Sequence, residues 1–307
     1  MYKKEFKINL DGPFRLDLTV WTLRRRKSNA VDVWDNHRYI RILTYNNTPI
    51  KISVTQNDSP TNPQLEVLLE SDKEISNQAQ DFVQNTLKMM LGVEINLDSF
   101  YSIAAKDKIL GSLTNQFLGV KPPRFASIFE GLVNSVACQQ VSLDVGILVL
   151  GRLSEKYGRK FQDKGQAFYS FPDPEDLVNI PEDDIKKLGL SYQKARTIKE
   201  IAANILDEKI NLMSIENMTN EEAVSYLSSI KGIGRWSSEY VLLRGFGKLD
   251  ILPGDDVGAQ NNLERVFALE NKPGYDEIKE LTSQWHPYEG LVYFHLLLEK
   301  LNLKGFI

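Results

Sequence analysis

The chain has 307 residues, 42% of them hydrophobic, which is enough to bury a sizeable core and predicts about two domains. A single cysteine, Cys138, excludes an internal disulfide framework, and with His37, His286 and His295 as the only histidines no metal-ligand spacing arises. The formal charge of −4 excludes a general attraction to polyanions, so any contact with nucleic acid needs a local basic surface.

The first seventy residues read as mostly β. In PFRLDLTVW, Phe14, Leu16, Leu18 and Val20 alternate with Arg15, Asp17 and Thr19, the period-two pattern of a half-buried strand. KEFKINL, RYIRIL, PIKISVT and QLEVLLE follow the same rule. Turn signals such as Asp11-Gly12-Pro13 and YNNTP separate several of the runs, which favours an antiparallel sheet. The run RRRK, Arg24 to Lys27, is expected to be a solvated turn rather than a DNA contact. After Ser71 the period becomes helical, with Ile75, Ala79, Phe82, Val83, Thr86 and Leu87 on one face.

From Pro122 onward helices are expected over 124–157, 174–187, 193–208, 220–229, 235–245, 256–269 and 286–301, with no strand among them. The fold class is therefore α+β: an antiparallel sheet domain with packed helices over 1–112, then an all-helical domain over 113–307. No low-complexity linker separates them, so the boundary should be a packed junction. No apolar run approaches the roughly 18 residues that cross a bilayer. The opening MYKKEFKINL is too charged for a secretory signal, which points to a chain that stays inside a cell, in cytoplasm or nucleus according to host, with a monomer as the default.

Ser228 to Gly258, SSIKGIGRWSSEYVLLRGFGKLDILPGDDVG, concentrates the chemistry. EEAVSYLSS and RWSSEYVLLRGF are helix formers joined by IKGIG, a helix-hairpin-helix pattern. Gly232 and Gly234 leave the turn without side chains at two points, so N–H groups opening the second helix can approach a phosphate. Lys231 and Arg235 flank it as phosphate candidates, while Lys194, Arg196 and Lys199 can merely decorate a surface. Pro253 and Gly254 then deliver Asp255 and Asp256 to a helix start, where a carboxylate is stabilised by the dipole and by free N–H groups. One of them can be a cap, a role adequate for Asp255 that leaves Asp256 less explained.

The run I-K-G-I-G-R-W-S-S-E-Y, the Gly/Pro loop and D-V-G resemble the helix-hairpin-helix (HhH-GPD) DNA glycosylases, and specifically the 3-methyladenine DNA glycosylase II family. PPRFASIFEGLVNSVACQQVS, FPDPEDLVNIPEDDIKKLGLSYQKARTIKEIA and QWHPYEGLVYFHL extend the likeness from about residue 97 to 301. The β-rich start is compatible with the family's amino-terminal, TATA-binding-protein-like domain.

The resemblance implies a monofunctional base-excision-repair enzyme that flips alkylated purines of the 3-methyladenine type from damaged double-stranded DNA and hydrolyses the N-glycosidic bond. It implies Asp256 as the catalytic carboxylate, with Asp255 as alternative, and Trp236, Tyr240 and Trp285 as pocket aromatics. It places DNA contacts on Lys231, Gly232, Ile233, Gly234 and Arg235, and the residue that fills the gap left by the base at Gln140, beside Gln139, where many members carry an apolar residue. Backbone carbonyls of Ser228, Ile230 and Ile233 fall where members hold a monovalent cation, Na+ or K+; no redox or nucleotide cofactor is implied. Relatives that also cut the strand carry a lysine where this chain has Trp236, so a Schiff-base lyase step is not expected. Glu289 stands where the family's W-x-P-[YW]-R has arginine. The rival readings are a noncatalytic DNA clamp and an oxidised-base glycosylase.

Overall fold

The computed structural model describes residues 1–35, 37–57 and 63–307. Its first part is a five-stranded antiparallel sheet of β1 (Tyr2–Asn9), β2 (Val33–Trp34), β3 (Tyr39–Tyr45), β4 (Thr48–Gln56) and β5 (Gln64–Ser71), in the order β1-β5-β4-β3-β2. The period-two runs KEFKINL, RYIRIL, PIKISVT and QLEVLLE supply the four long strands. Register is fixed because alternate residues enter different cores. On β3, Tyr39 and Leu43 join the cluster formed with α1 (Leu16–Arg24) and α2 (Asn77–Leu91), whereas Ile40 and Ile42 face the other way.

The segment PFRLDLTVW is not the expected strand; it supplies most of α1. From Leu18 to Arg24 every residue is buried, so this helix has no solvent face and no polar stripe to betray its period.

Then come α3 (Asp98–Ala104), α4 (Lys108–Gln116), α5 (Ile128–Cys138), α6 (Leu143–Tyr157), α7 (Pro174–Leu177), α8 (Glu182–Lys186) and α9 (Tyr192–Leu206). They are followed by α10 (Asn220–Ser228), α11 (Arg235–Val241), α12 (Val257–Val266), α13 (Tyr275–Thr282) and α14 (Glu289–Leu303). The helix expected over 124–157 is two, because the chain turns through Gln140 at φ 52 and Ser142 caps a new start by accepting from Val145 N–H. The residue 112 boundary falls inside α4, whose Leu110 and Leu113 share a core with Leu263 of α12 and Leu291 of α14.

Nor is the second part all-helical. β6 (Lys160–Asp163) and β7 (Gln166–Tyr169) pair around Lys164 and Gly165, both left-handed at φ 44 and 87, the primed turn that matches strand twist. Phe161 and Phe168 of this hairpin pack on Ile40 and Ile42, and Lys51 reaches from β4 to Asp163 and Glu70. No helix among the described residues is long and apolar enough to cross a membrane.

Buried charge joins sheet to helices. Arg41 of β3 donates to Asp32 and to Glu130 of α5, each at 2.5 Å, with these side chains 2–3% exposed. Arg41→Ala strips two buried carboxylates of their cation and should cost about 3–5 kcal/mol. A lowered urea midpoint at unchanged slope would register it; a loss below about 1 kcal/mol would mean that the cluster is solvated.

His295 of α14 is fully buried against Phe100, and burial lowers its pKa from 6.5 to about 4. The unfolded chain therefore takes up a proton between those pH values that the folded chain refuses, and stability is full above pH 6.5 and falls toward pH 4. His295→Asn should flatten that part of the slope in thermal unfolding followed against pH.

Candidate active site around Asp256

The α10–α11 turn is shaped by one glycine. Gly232 has φ +87, and a Cβ there would meet the Thr197 hydroxyl of α9 at 2.4 Å, so both backbone and packing demand its small size. Gly234 is extended at φ −104 and a Cβ on it would meet nothing, so it keeps the outer rim of the turn bare without any positive φ. Ile233 buries its side chain in the core with α5 and α9 and anchors the hairpin. Its N–H donates to the Ile230 carbonyl at 2.9 Å.

Lys231 is exposed, with Glu200 at 3.6 Å. Arg235 is more engaged: Nε and Nη2 reach Asp255 at 2.8 and 3.1 Å, and the guanidinium lies 3.6 Å from the centre of the Tyr275 ring.

The expected cap assignment is reversed. Asp256, not Asp255, is the N-cap of α12: its Oδ1 accepts from Ala259 N–H at 2.8 Å. Its Oδ2 accepts from the Trp236 indole N–H at 3.1 Å. One carboxylate thus serves as cap and as partner of the residue that follows the hairpin. Among the described residues Asp256 has no ion pair, whereas Asp255 is neutralised by Arg235.

Trp236 stacks on Tyr240 with ring centres 5.3 Å apart at 25°. Tyr240 is 2% exposed, and its hydroxyl accepts from Arg25 at 2.7 Å and donates to Asn134 of α5 at 3.3 Å. Burial raises the Tyr240 phenol, and burial followed by the charge of Asp256 raises that of Tyr293 on α14. Beneath the rings lie Arg25 and Arg244, whose guanidiniums are 5.9 and 5.7 Å from the Tyr240 centre.

The three arginines of the RRRK run are thus not solvated, and of the four residues Lys27 alone is exposed. Arg24, Arg25 and Arg26 are 5%, 4% and 8% exposed, and Arg25 turns inward at φ 60 just past α1. Three consecutive arginines look like surface in a sequence, and no signal there marks Arg25, Asn134, Arg244 or Tyr293 as neighbours of the site. Trp285 stands apart: it is 1% exposed and tilts against Phe267 at 5.2 Å, in the core of α12 and α14. A ring so enclosed offers no face to a ligand. Glu289 Oε1 lies 3.0 Å from His286 Nδ1. Gln140 is exposed at its turn, while the Gln139 amide points inward to the hairpin.

Glu239 of α11 holds the loop that carries the aspartates. It is 1% exposed, accepts from Tyr275 hydroxyl at 2.6 Å and from Gly254 N–H at 3.2 Å, and burial raises its pKa. Glu239→Ala should leave the fold intact and speed amide exchange at Gly254 by about tenfold or more, a local loosening that exchange mass spectrometry or NMR would detect.

With this geometry in view, comparisons with known proteins converge. The model of the HhH-GPD superfamily base excision DNA repair protein matches residues 133–287, from α5 through the hairpin and Asp256 to Trp285. A DNA-3-methyladenine glycosylase of Bacillus subtilis is 22% identical over 291 residues, 94% of this chain and 95% of that protein. A second Bacillus subtilis protein, YfjP, is 26% identical over 162 residues, and there the chain spans only 55% of the relative's length. The solved 3-methyladenine DNA-glycosylase of Archaeoglobus fulgidus is 25% identical, with a TM-score of 0.81 over 95% of this chain and 97% of that one.

Proposed function

Because this chain belongs to the HhH-GPD superfamily of base excision DNA repair proteins, we propose that it is a DNA glycosylase that removes alkylated purines of the 3-methyladenine type by hydrolysis. The observation that carries the reading is the Asp256 carboxylate, bonded to Trp236 beside a stacked aromatic pair at the end of a hairpin.

The chemistry follows from what each group offers. The hairpin, with Gly232 and Gly234 bare and Lys231 beside them, receives a DNA phosphate on the N–H groups that open α11, which the helix itself leaves without a partner. The flipped base lies against Trp236, backed by Tyr240; Trp285 is too enclosed to take part. As the C1′–N bond breaks, the bonding pair leaves with the base and the sugar becomes an oxocarbenium-like cation. Asp256, unpaired with any described cation, faces that charge and accepts the proton of the attacking water. Both functions need an acceptor oxygen aimed away from the helix. The hydrogen bonds from Trp236 and Ala259 set that aim.

Gln140, exposed on the α5–α6 turn, fills the space that the base vacates. The position at which strand-cutting relatives carry lysine is Trp236, so base removal proceeds without a Schiff base, and borohydride should trap no adduct. A monovalent ion held by the Ser228, Ile230 and Ile233 carbonyls would share the Ile230 oxygen with Ile233 N–H, which leaves it one lone pair for the ion. A noncatalytic clamp explains the hairpin but gives the Asp256–Trp236 bond no purpose. The 3-methyladenine DNA glycosylase of Schizosaccharomyces pombe, a structural neighbour, is solved in complex with abasic DNA, which supports DNA as partner.

Asp256→Asn keeps the size of the side chain and removes its charge. Release of free base from methylated duplex DNA should fall by about 10²–10⁴-fold while binding to an abasic-site analogue persists. Binding without any base release by wild type, across several lesions, would instead favour the clamp.

A further inference from the structure

Four contacts converge on the turn between α5 and α6. Gln139 Nε2 donates to the Gly232 carbonyl and to the Ser237 hydroxyl, both at 2.9 Å, and so spends its two N–H bonds on the hairpin and on α11. A backbone carbonyl can only accept, which fixes the amide's orientation. From α9, Lys194 Nζ donates to the carbonyls of Ala137 at 3.1 Å and Gln139 at 2.5 Å, a cation at the carboxyl end of α5 where the helix dipole favours it. Thr197, one turn further along the same face of α9, is the residue against which Gly232 packs. Behind the turn a Cβ on Gly146 would meet Cys138 Sγ at 2.6 Å, so α6 crosses α5 in close contact.

We infer that Gln139 is a positioning residue that locks the gap-filling turn to the phosphate-binding hairpin, so that gripping the backbone and inserting Gln140 act as one rigid unit. The inference rests on the roles proposed above for Gln140 and the hairpin, and it removes Gln139 from the expected DNA contacts. Gln140 itself is exposed at φ 52, in the left-handed region that is strained for a residue with a Cβ. The hairpin meets the phosphates from one side and Gln140 enters the stack from another; the core that Ile233 shares with α5 and α9 sets the coarse spacing between them, and the Gln139 amide and the Lys194–Thr197 face of α9 fix it at the turn itself. A loose turn would still let the pocket accept a base that is already unstacked. It would fail when the enzyme has to extract one from a paired helix.

That difference is the test. Gln139→Glu is isosteric, loses both donors and opposes a carboxylate to the Gly232 carbonyl. Single-turnover release of one methylated purine is compared between a fully paired duplex and a bubble that leaves the lesion unpaired. The paired-to-bubble ratio should fall by about tenfold, the scale set by one or two lost hydrogen bonds, and Ser237→Ala should lower it by less. Gln139→Glu combined with Gln140→Ala should be no worse on the duplex than Gln140→Ala alone, because the brace acts through the residue it presents. An unchanged ratio, an equal loss on both substrates, or independent multiplication of the two effects would overturn the inference. A 2-aminopurine reporter beside the lesion, read in an Asp256→Asn background, follows unstacking without chemistry. Unstacking by a wild type that releases no base would sink the glycosylase reading alone, and the brace would then stand or fall on whether Gln139→Glu weakens the 2-aminopurine signal.

Discussion

The carboxylate of Asp256 is held from two directions, by a backbone N–H of its own helix and by an indole N–H from a residue 20 positions earlier. Each bond uses one oxygen, and together they tie the start of α12 to the start of α11. The neighbouring contacts serve the same constraint. Glu239 grips Gly254 within the connecting loop, and Arg235 neutralises Asp255 while lying on Tyr275, so the second aspartate is drawn aside. A hydrogen bond contributes only about 0.5–1.5 kcal/mol net. Several that share one loop nevertheless fix a direction, and direction is what the role proposed for Asp256, facing a transient cation, requires.

The floor of the same site comes from the sheet-bearing part of the chain. Arg25 emerges at the end of α1 and donates to Tyr240 and Asn134, while Arg244 donates to carbonyls of Thr22 and Leu23 on α1. A buried guanidinium carries a desolvation cost of several kcal/mol, offset here by these bonds and by the faces of Phe125 and Tyr240. The sheet is therefore no appendage. Arg41 links it to α5 from below, the β6–β7 hairpin covers its other face, and α1 lies where both parts meet the aromatic pair.

The strands β1, β3, β4 and β5 were legible because each has distinct faces and the chain alternates accordingly. α1 reads as a strand for the opposite reason: buried nearly all round, it has no polar face, and its alternation is accidental. β6 and β7 are four residues each, too short for a period to register. At the site, Asp256, Trp236 and the hairpin glycines were legible because they lie close together in the chain, where a turn and a helix cap constrain neighbours directly. Which aspartate is the cap was not, since either can accept an N–H bond and the choice turns on where Arg235 sits.

The sequence by itself determined the helix-hairpin-helix turn, the presence of a carboxylate at the head of α12 and the aromatic residue placed to meet it. These follow from local steric rules that hold wherever the segment lies. Tertiary structure alone decided that Arg25 lines the floor, that Trp285 is enclosed in a different core and that Gln139 looks inward while Gln140 looks out. Such outcomes depend on partners more than 90 residues away, as with Gln139 and Gly232, and on burial that a charged or amide side chain tolerates only once those partners are in place. Local pattern reports what a segment can do; long-range packing selects which of its polar groups are spent on the fold and which are left for a ligand.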